Sequence, residues 1–452
     1  MPKKLVVIGG TAAGLSAASK VKRSNPEIEV YVYEKSGYVS YGACGLPYFV
    51  GDIIKNPENL VSLTVNDLTE KRNIKTCIHH EVIKINNQNK SIVVKNIDTD
   101  ETFIQEYDYL VIATGATPIV PPIKGINSNG VYYLRTVEDG IQLKSKVINE
   151  AKEAVIVGGG FIGLEVAEEL SFQGIKVTVI EAMPRLLPFL NEEFAQKVEK
   201  TLASNNVTVH MGVSVEEIIE NNEKACGVKT SDGRVISADL ILVSVGVKPN
   251  TKLAEDCNLK LGLKSSIVVD EYMQTSDSSI WACGDCVQMF QLTTQEPTYV
   301  PLGTVANKQG RIAGSNIVGE NKTFKGVLAS QVTKVFDLFI ASTGLTPEQA
   351  IRAGYLVETS TVTKGDVASY YPGCKDNSLC LIFDKKRGQL LGAQGIGSKS
   401  IAGRINVLAT AITAKMTIEQ INELDLVYAP PVAPVYDPIL IAASQALKKV
   451  EK

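Results

Sequence analysis

Apolar and polar positions along the chain fall into two similar passages. Leu5-Val6-Val7-Ile8 is an unbroken apolar run of strand length, followed by Gly9-Gly10-Thr11-Ala12-Ala13-Gly14 and a stretch with helical character. Ala154-Val155-Ile156-Val157 repeats it, followed by Gly158-Gly159-Gly160-Phe161-Ile162-Gly163. Each passage then reaches a second β-branched run ending on an acid, Val30 to Glu34 and Val177 to Glu181. The pattern predicts strand, glycine turn, helix, strand and acid, twice over.

The glycines have a mechanical role. The first permits the tight turn, the second lets backbone approach a pyrophosphate, and the third lets helix pack on strand. The pyrophosphate then lies at a helix N-terminus, where free N–H groups favour an anion. The acid accepts hydrogen bonds from ribose hydroxyls. In the second copy Gly158, Gly160 and Gly163 fill all three positions. In the first, Gly9 and Gly14 flank Thr11, which stands at the middle position. Either the adjacent Gly10 serves there, or the backbone tolerates a small residue.

After residue 326 the pattern changes. Strand-like runs cover Gln331 to Ile340, Leu379 to Phe383 and Leu390 to Ile396. A helical run, Ile401 to Lys415, and a proline-rich segment, Tyr428 to Pro438, follow. No third dinucleotide fingerprint is present, and this stretch reads as an α+β domain. A chain of 452 residues exceeds one ordinary core. Its net charge of −3 points away from nucleic acid or anionic membrane as a partner. No run has the length of a membrane span, and the start lacks a leader pattern, so a cytoplasmic protein is expected. The eight cysteines are scattered through a long chain, which argues for reduced thiols rather than a disulfide scaffold.

The doubled fingerprint, Ala113-Thr114-Gly115 closing one strand, and Trp281-Ala282-Cys283-Gly284-Asp285 much later together resemble the pyridine nucleotide–disulfide oxidoreductases. That resemblance spans the whole chain. It implies an α/β fold with two Rossmann-like dinucleotide-binding domains, for FAD and NAD, plus a C-terminal α+β dimerisation domain. The implied boundaries are 1–115 and 250–325 for the FAD domain, 116–249 for the NAD(P)H domain and 326–452 for the dimerisation domain. Asp285 would bond the ribityl chain of the flavin. Lys35, Phe161, Ile162 and Gly246 join the glycine-turn residues as implied cofactor positions, and Glu165 matches a family glutamate near the nicotinamide. Glu181 favours NADH over NADPH, because a carboxylate repels the 2′-phosphate, although Arg185 nearby keeps NADPH as the alternative.

Disulfide reductases of this family with two active cysteines space them C-x4-C. Here Ser40-Tyr41-Gly42-Ala43-Cys44-Gly45-Leu46-Pro47-Tyr48 holds one. This resembles the single-cysteine branch of coenzyme A–disulfide reductases, NADH oxidases, NADH peroxidases and persulfide reductases. Ala12 stands where the peroxidases carry a histidine. The segments Val427 to Pro438 and Ser369 to Gly373 look most like the coenzyme A–disulfide reductases. The resemblance implies roles near the thiol for Tyr428, reaching across a homodimer, and for Tyr371 or its neighbour Tyr370. It also implies contacts to coenzyme A by Ser40, Lys22 and Arg23, the last two through phosphate. A solvated helix end accounts for Lys22 and Arg23 equally well.

Cys44 precedes Gly-Leu-Pro, a helix-start signal, and a helix N-terminus lowers a thiol pKa. The plainer reading is a small buried hydrophobe. The expected activity passes electrons from NADH through FAD to Cys44, and on to coenzyme A disulfide through a Cys44–coenzyme A mixed disulfide. Oxygen, or a persulfide or polysulfide, is the alternative acceptor, and a redox-responsive binding flavoprotein is the reading of another class. Cys283 and Cys286 form a C-x-x-C without further ligands, so no metal site is expected. Cys374, after Tyr370-Tyr371-Pro372-Gly373, is a candidate second thiol at the site.

Overall fold

The computed structural model describes residues 2–451. The first apolar run forms the strand Lys4–Ile8 at the middle of a parallel sheet, paired with Glu29–Tyr33 on one side and Tyr109–Ile112 on the other. Lys75–Cys77 and Ile280–Ala282 form the two edges. Helix Ala12–Ser24 follows the glycine turn, and helix Gly303–Ile317 packs against it. The strand Ile280–Ala282 joins this sheet from far along the chain. The intervening residues build a second parallel sheet, in the order Thr208–Met211, Lys176–Glu181, Glu153–Val157, Leu240–Val243, Val131–Tyr132. The chain crosses between the two sheets on the paired strands Ala116–Pro118 and Val247–Pro249.

A third sheet is antiparallel, in the order Gln331–Val335, Leu338–Gly344, Leu390–Gly397, Asp376–Asp384, Val357–Gly365. Helices Ile401–Thr413 and Pro438–Leu447 cover it and bury Ile405, Leu408, Ile439 and Ala443 in its core. The run expected as one strand from Gln331 to Ile340 is two strands. The chain turns at Phe336, which has a φ of 52°, and Asp337. The turn holds no glycine or proline, so apolar periodicity passed over it. It is set from outside: the Phe336 N–H donates to Glu168 and its ring is buried with the second sheet's core.

That core also takes in Leu46, Phe49 and Val50 from the segment after Cys44. Cys44 therefore lies where the first sheet's loops, the second nucleotide-type unit and the third sheet meet. No helix among the described residues is long and apolar enough to cross a membrane.

Candidate functional site

The two glycine turns have the same construction. Gly9 and Gly158 have φ near 106° and 111°, and a Cβ on either would lie within 2.6 Å of a carbonyl oxygen on the neighbouring strand end, Ala113 or Ser244. A Cβ on Gly14 or Gly163 would come 2.0 or 2.1 Å from the carbonyl oxygen of the turn's own first glycine, so only glycine lets helix approach strand there. The middle position differs. Gly160 is the helix N-cap, and a Cβ built on it meets nothing within 4 Å. Thr11 is the N-cap in the first turn and makes no side-chain cap bond. Neither helix start has a side-chain cap, so the N–H groups of both first turns are left for a ligand. A dinucleotide pyrophosphate fits such a cradle.

The two acids also match. Glu34 accepts from the Gly10 N–H at 2.8 Å and from the Ser36 N–H at 2.9 Å. Glu181 accepts from the Gly159 N–H at 2.6 Å and the Met183 N–H at 2.7 Å. Each carboxylate braces its own glycine turn, a role that reading it only as a ribose ligand left out. Lys35 is exposed beside Glu34. Phe161 stacks on Phe189 with centroids 5.5 Å apart, and Ile162 is half-buried beside it.

The late motif reaches the first turn. A Cβ on Gly284 would come 2.8 Å from the Ala13 side chain, and the Gly284 N–H donates to Gln309. Asp285 pairs with Arg135 at 2.6 Å, and its carbonyl accepts from Tyr299 at 2.8 Å. Thr114 is tied to Asn250 by two hydrogen bonds, at 2.6 and 2.9 Å, next to Gly115. The Gly246 carbonyl accepts from Ile119 in the same crossover. Sequence reading missed Arg135 and Asn250, because nothing local marks them. Cys283 and Cys286 are fully buried, and burial pushes both thiols up.

Ser40 connects the first turn to the cysteine segment. Its N–H donates to the Gly10 carbonyl, and it holds a φ of 51°, a strained conformation for a residue with a side chain. Cys44 lies in the single turn Ala43–Gly45, and helix Leu46–Val50, with Pro47 in its first turn, follows. Cys44 is exposed as a residue, and its thiol is in no disulfide. Its pKa is raised, against the lowering that the helix start led one to expect. Protein packed around the sulfur is the main cause, and Glu165 adds to it. Arg135 opposes the shift and Asp285 reinforces it. A five-residue helix has little dipole to set against two carboxylates.

Glu165 is half-buried and accepts from the Thr333 hydroxyl at 2.8 Å. Burial pushes its own pKa up. Tyr48, one turn past Cys44, is pushed up to about 12 by burial, with Glu165, Glu168 and Glu169 adding to the shift.

The C-terminal candidates are brought together on an exposed face. The Tyr370 and Tyr428 hydroxyls are 3.0 Å apart, and this hydrogen bond raises the Tyr428 pKa. Tyr371, Val427, Val432, Val435 and Tyr436 are exposed around them, an apolar surface of the kind that marks an interface. Cys374 packs under the same loop, its thiol 3.6 Å from the Val367 carbonyl. Lys22 is bonded to the Pro26 and Ile28 carbonyls at 2.7 and 2.8 Å, so its ammonium ties down its own helix end. Arg23 is exposed. A cavity of about 430 Å³ on the outer side of helix Gly303–Ile317 is lined by Lys308, Arg311 and Lys322 with Ser315 and Thr323, a cationic feature the sequence did not reveal.

Residues 3–310 match the family model described as pyridine nucleotide-disulphide oxidoreductase, and residues 330–437 match the dimerisation domain of the same family. An NADH oxidase of Methanocaldococcus jannaschii is 37% identical over 449 residues, 99% of each chain. The structure of reduced CoADR-RHD from Bacillus anthracis superposes with a TM-score of 0.97 at 35% identity, covering 100% of this chain and 81% of that one. A NAD-dependent persulfide reductase from A. fulgidus superposes with a TM-score of 0.96 at 41% identity, covering 99% and 83%.

Proposed function

The chain belongs to the pyridine nucleotide–disulphide oxidoreductases, and we propose that within that family it is an FAD- and NADH-dependent reductase of coenzyme A disulfide, with Cys44 as the exchanging thiol. The observation that carries this is the isolation of Cys44. It is exposed in the turn before a helix that packs into the second sheet's core, and the next cysteine along the chain, Cys77, lies on an edge strand of the first sheet. A lone thiol completes disulfide exchange only when the substrate's own thiol serves as the resting partner.

FAD and NADH, when bound, supply two electrons. The free N–H groups behind Thr11 and Gly160 would hold the two pyrophosphates, with Glu34 and Glu181 available to the ribose hydroxyls. Asp285, held by Arg135, would bond the ribityl chain of the flavin. The Cys44 thiolate attacks one sulfur of the substrate disulfide, the sulfur–sulfur bond breaks, and one coenzyme A departs as thiolate. The Cys44–S–S–coenzyme A bond is then cleaved by the two electrons, which frees the second coenzyme A and returns Cys44. Two electrons and two protons convert one disulfide to two thiols. The Tyr370–Tyr428 pair, delivered from the second subunit of a homodimer, protonates the departing thiolate. Arg23 is exposed and offers a cation to the coenzyme A phosphates, whereas Lys22 holds its own helix end instead.

The likeness to the persulfide reductase of A. fulgidus favours a second reading, in which Cys44 attacks sulfane sulfur. The M. jannaschii relative makes oxygen the third acceptor to test. Intact mass of the unreduced protein, with and without dithiothreitol, separates these. A reducible adduct of coenzyme A mass, absent from Cys44→Ser, supports the disulfide reductase. A bare or oxygenated thiol, together with faster NADH oxidation on persulfide or oxygen than on coenzyme A disulfide, overturns it.

A further inference from the structure

Helix Phe161–Phe172 carries Glu165, Glu168 and Glu169 beside the segment that begins at Cys44. Two of these carboxylates have partners. Glu165 accepts from Thr333, and Glu168 pairs with Lys334 and accepts from the Phe336 N–H at 2.7 Å. Glu169 has none: it is 1% exposed, and neither carboxylate oxygen has a hydrogen-bond partner among the described residues. Its surroundings explain how it is accommodated. It lies against Gly51, which ends the helix that follows Cys44, so closely that a Cβ on Gly51 would come 2.0 Å from its Oε2. One turn on, the Gln173 side chain donates to the Gly51 carbonyl at 2.7 Å. Glu165 and Glu169, four residues apart, thus run alongside the segment Cys44–Tyr48–Gly51, one near each end.

We propose that Glu169 is a positioning residue for Cys44: through its contact with Gly51 it seats the far end of the cysteine segment on the helix that carries Glu165. An unpaired buried carboxyl keeps its place only while neutral, because its charged form is costly there. The groups facing it are Glu165 and Glu168 on its own helix, Lys334 on the strand Gln331–Val335, and Tyr48 on the cysteine helix. Burial and Glu168 push its pKa up and Lys334 offsets only part, leaving it at about 7. Below that pH the neutral acid packs against Gly51. Above it the carboxylate, facing two others, draws water and loosens the contact. The orientation of Cys44 then changes in the physiological range, before the thiol itself titrates. This rests on Cys44 being the reactive thiol and not on which acceptor it serves.

The test is the pH dependence of Cys44 alkylation by iodoacetamide in the FAD-loaded enzyme, first reduced with dithiothreitol and desalted so that Cys44 carries no mixed disulfide, read by peptide mass between pH 5.5 and 9. The wild type is expected to show a step of about threefold or more near neutrality, separate from the rise due to the thiol. Glu169→Gln, which stays neutral at every pH, is expected to lose that step and keep the rise. Gly51→Ala, whose methyl displaces Glu169 from the contact at every pH, is expected to abolish the step as well, and decides the matter if the first variant does not fold. A Glu169→Gln profile that superposes on the wild type overturns the proposal. Because alkylation needs no acceptor, failure to reduce coenzyme A disulfide would count against the proposed function alone.

Discussion

Arg404 and Asp437 form a buried two-pronged ion pair: the Arg404 Nε and Nη2 approach one carboxylate at 3.0 and 2.9 Å. The same guanidinium donates to the Ser400 hydroxyl and, at 3.0 Å, to the Asp366 carbonyl. Asp437 also accepts from the Ile439 N–H as N-cap of the last helix. One arginine thus anchors both loops that carry the candidate tyrosines, the one beginning at Asp366 and the one ending at Asp437.

Breaking that pair leaves a buried charge without compensation. Asp437→Ala is expected to cost about 3–5 kcal/mol in urea unfolding. It should also lower kcat more than it raises the KM for NADH, because the tyrosine loops lie away from the nucleotide cradles. Loss of stability with unchanged kcat would separate the anchor from the chemistry.

The second glycine turn provides a contrast between fold and binding. Gly160 has φ −84° and open space at its Cβ, so Gly160→Ala is expected to leave stability within about 0.5 kcal/mol while raising the KM for NADH about tenfold. Gly163→Ala places a methyl 2.1 Å from the Gly158 carbonyl and is expected to cost more than about 2 kcal/mol. Denaturation midpoints and nucleotide titrations on the pair check both.

Glu181 braces its turn, and under the proposed function it also sets nucleotide charge preference. In Glu181→Ala the Gly159 and Met183 N–H groups lose their acceptor, and repulsion of a 2′-phosphate disappears. The NADH-over-NADPH ratio of kcat/KM is expected to fall about tenfold or more, mostly through loss with NADH. An unchanged ratio would place selectivity elsewhere in the turn.

The thiol of Cys44 is raised by burial and by Glu165, with Arg135 opposing. In flavin-free protein its alkylation is therefore expected to have a midpoint above the ordinary cysteine value. Glu165→Gln removes a negative neighbour, lowers that midpoint and speeds alkylation at pH 8 about threefold. Arg135→Gln shifts the midpoint the other way. Equal midpoints in all three proteins would remove electrostatics from the account of this site.

What the sequence by itself determined were the features set by local backbone demands. Gly9, Gly14, Gly158 and Gly163 stand where a side chain collides with a carbonyl, and the β-branched runs became central strands. The segment at Cys44 and the helix behind it were legible for the same reason, since Gly45, Leu46 and Pro47 start a helix within a few residues. Tertiary structure alone decided the rest. The break at Phe336 is imposed by Glu168, 168 residues earlier. The pairing of Asp285 with Arg135 spans 150 residues, and that of Arg404 with Asp437 joins a helix to a loop. The raised thiol of Cys44 and the unpaired acid of Glu169 arise from desolvation and from charges on other elements. Periodicity and turn chemistry act over a few residues, whereas burial and Coulomb interactions depend on which surfaces meet, and that is settled only when the sheets pack together.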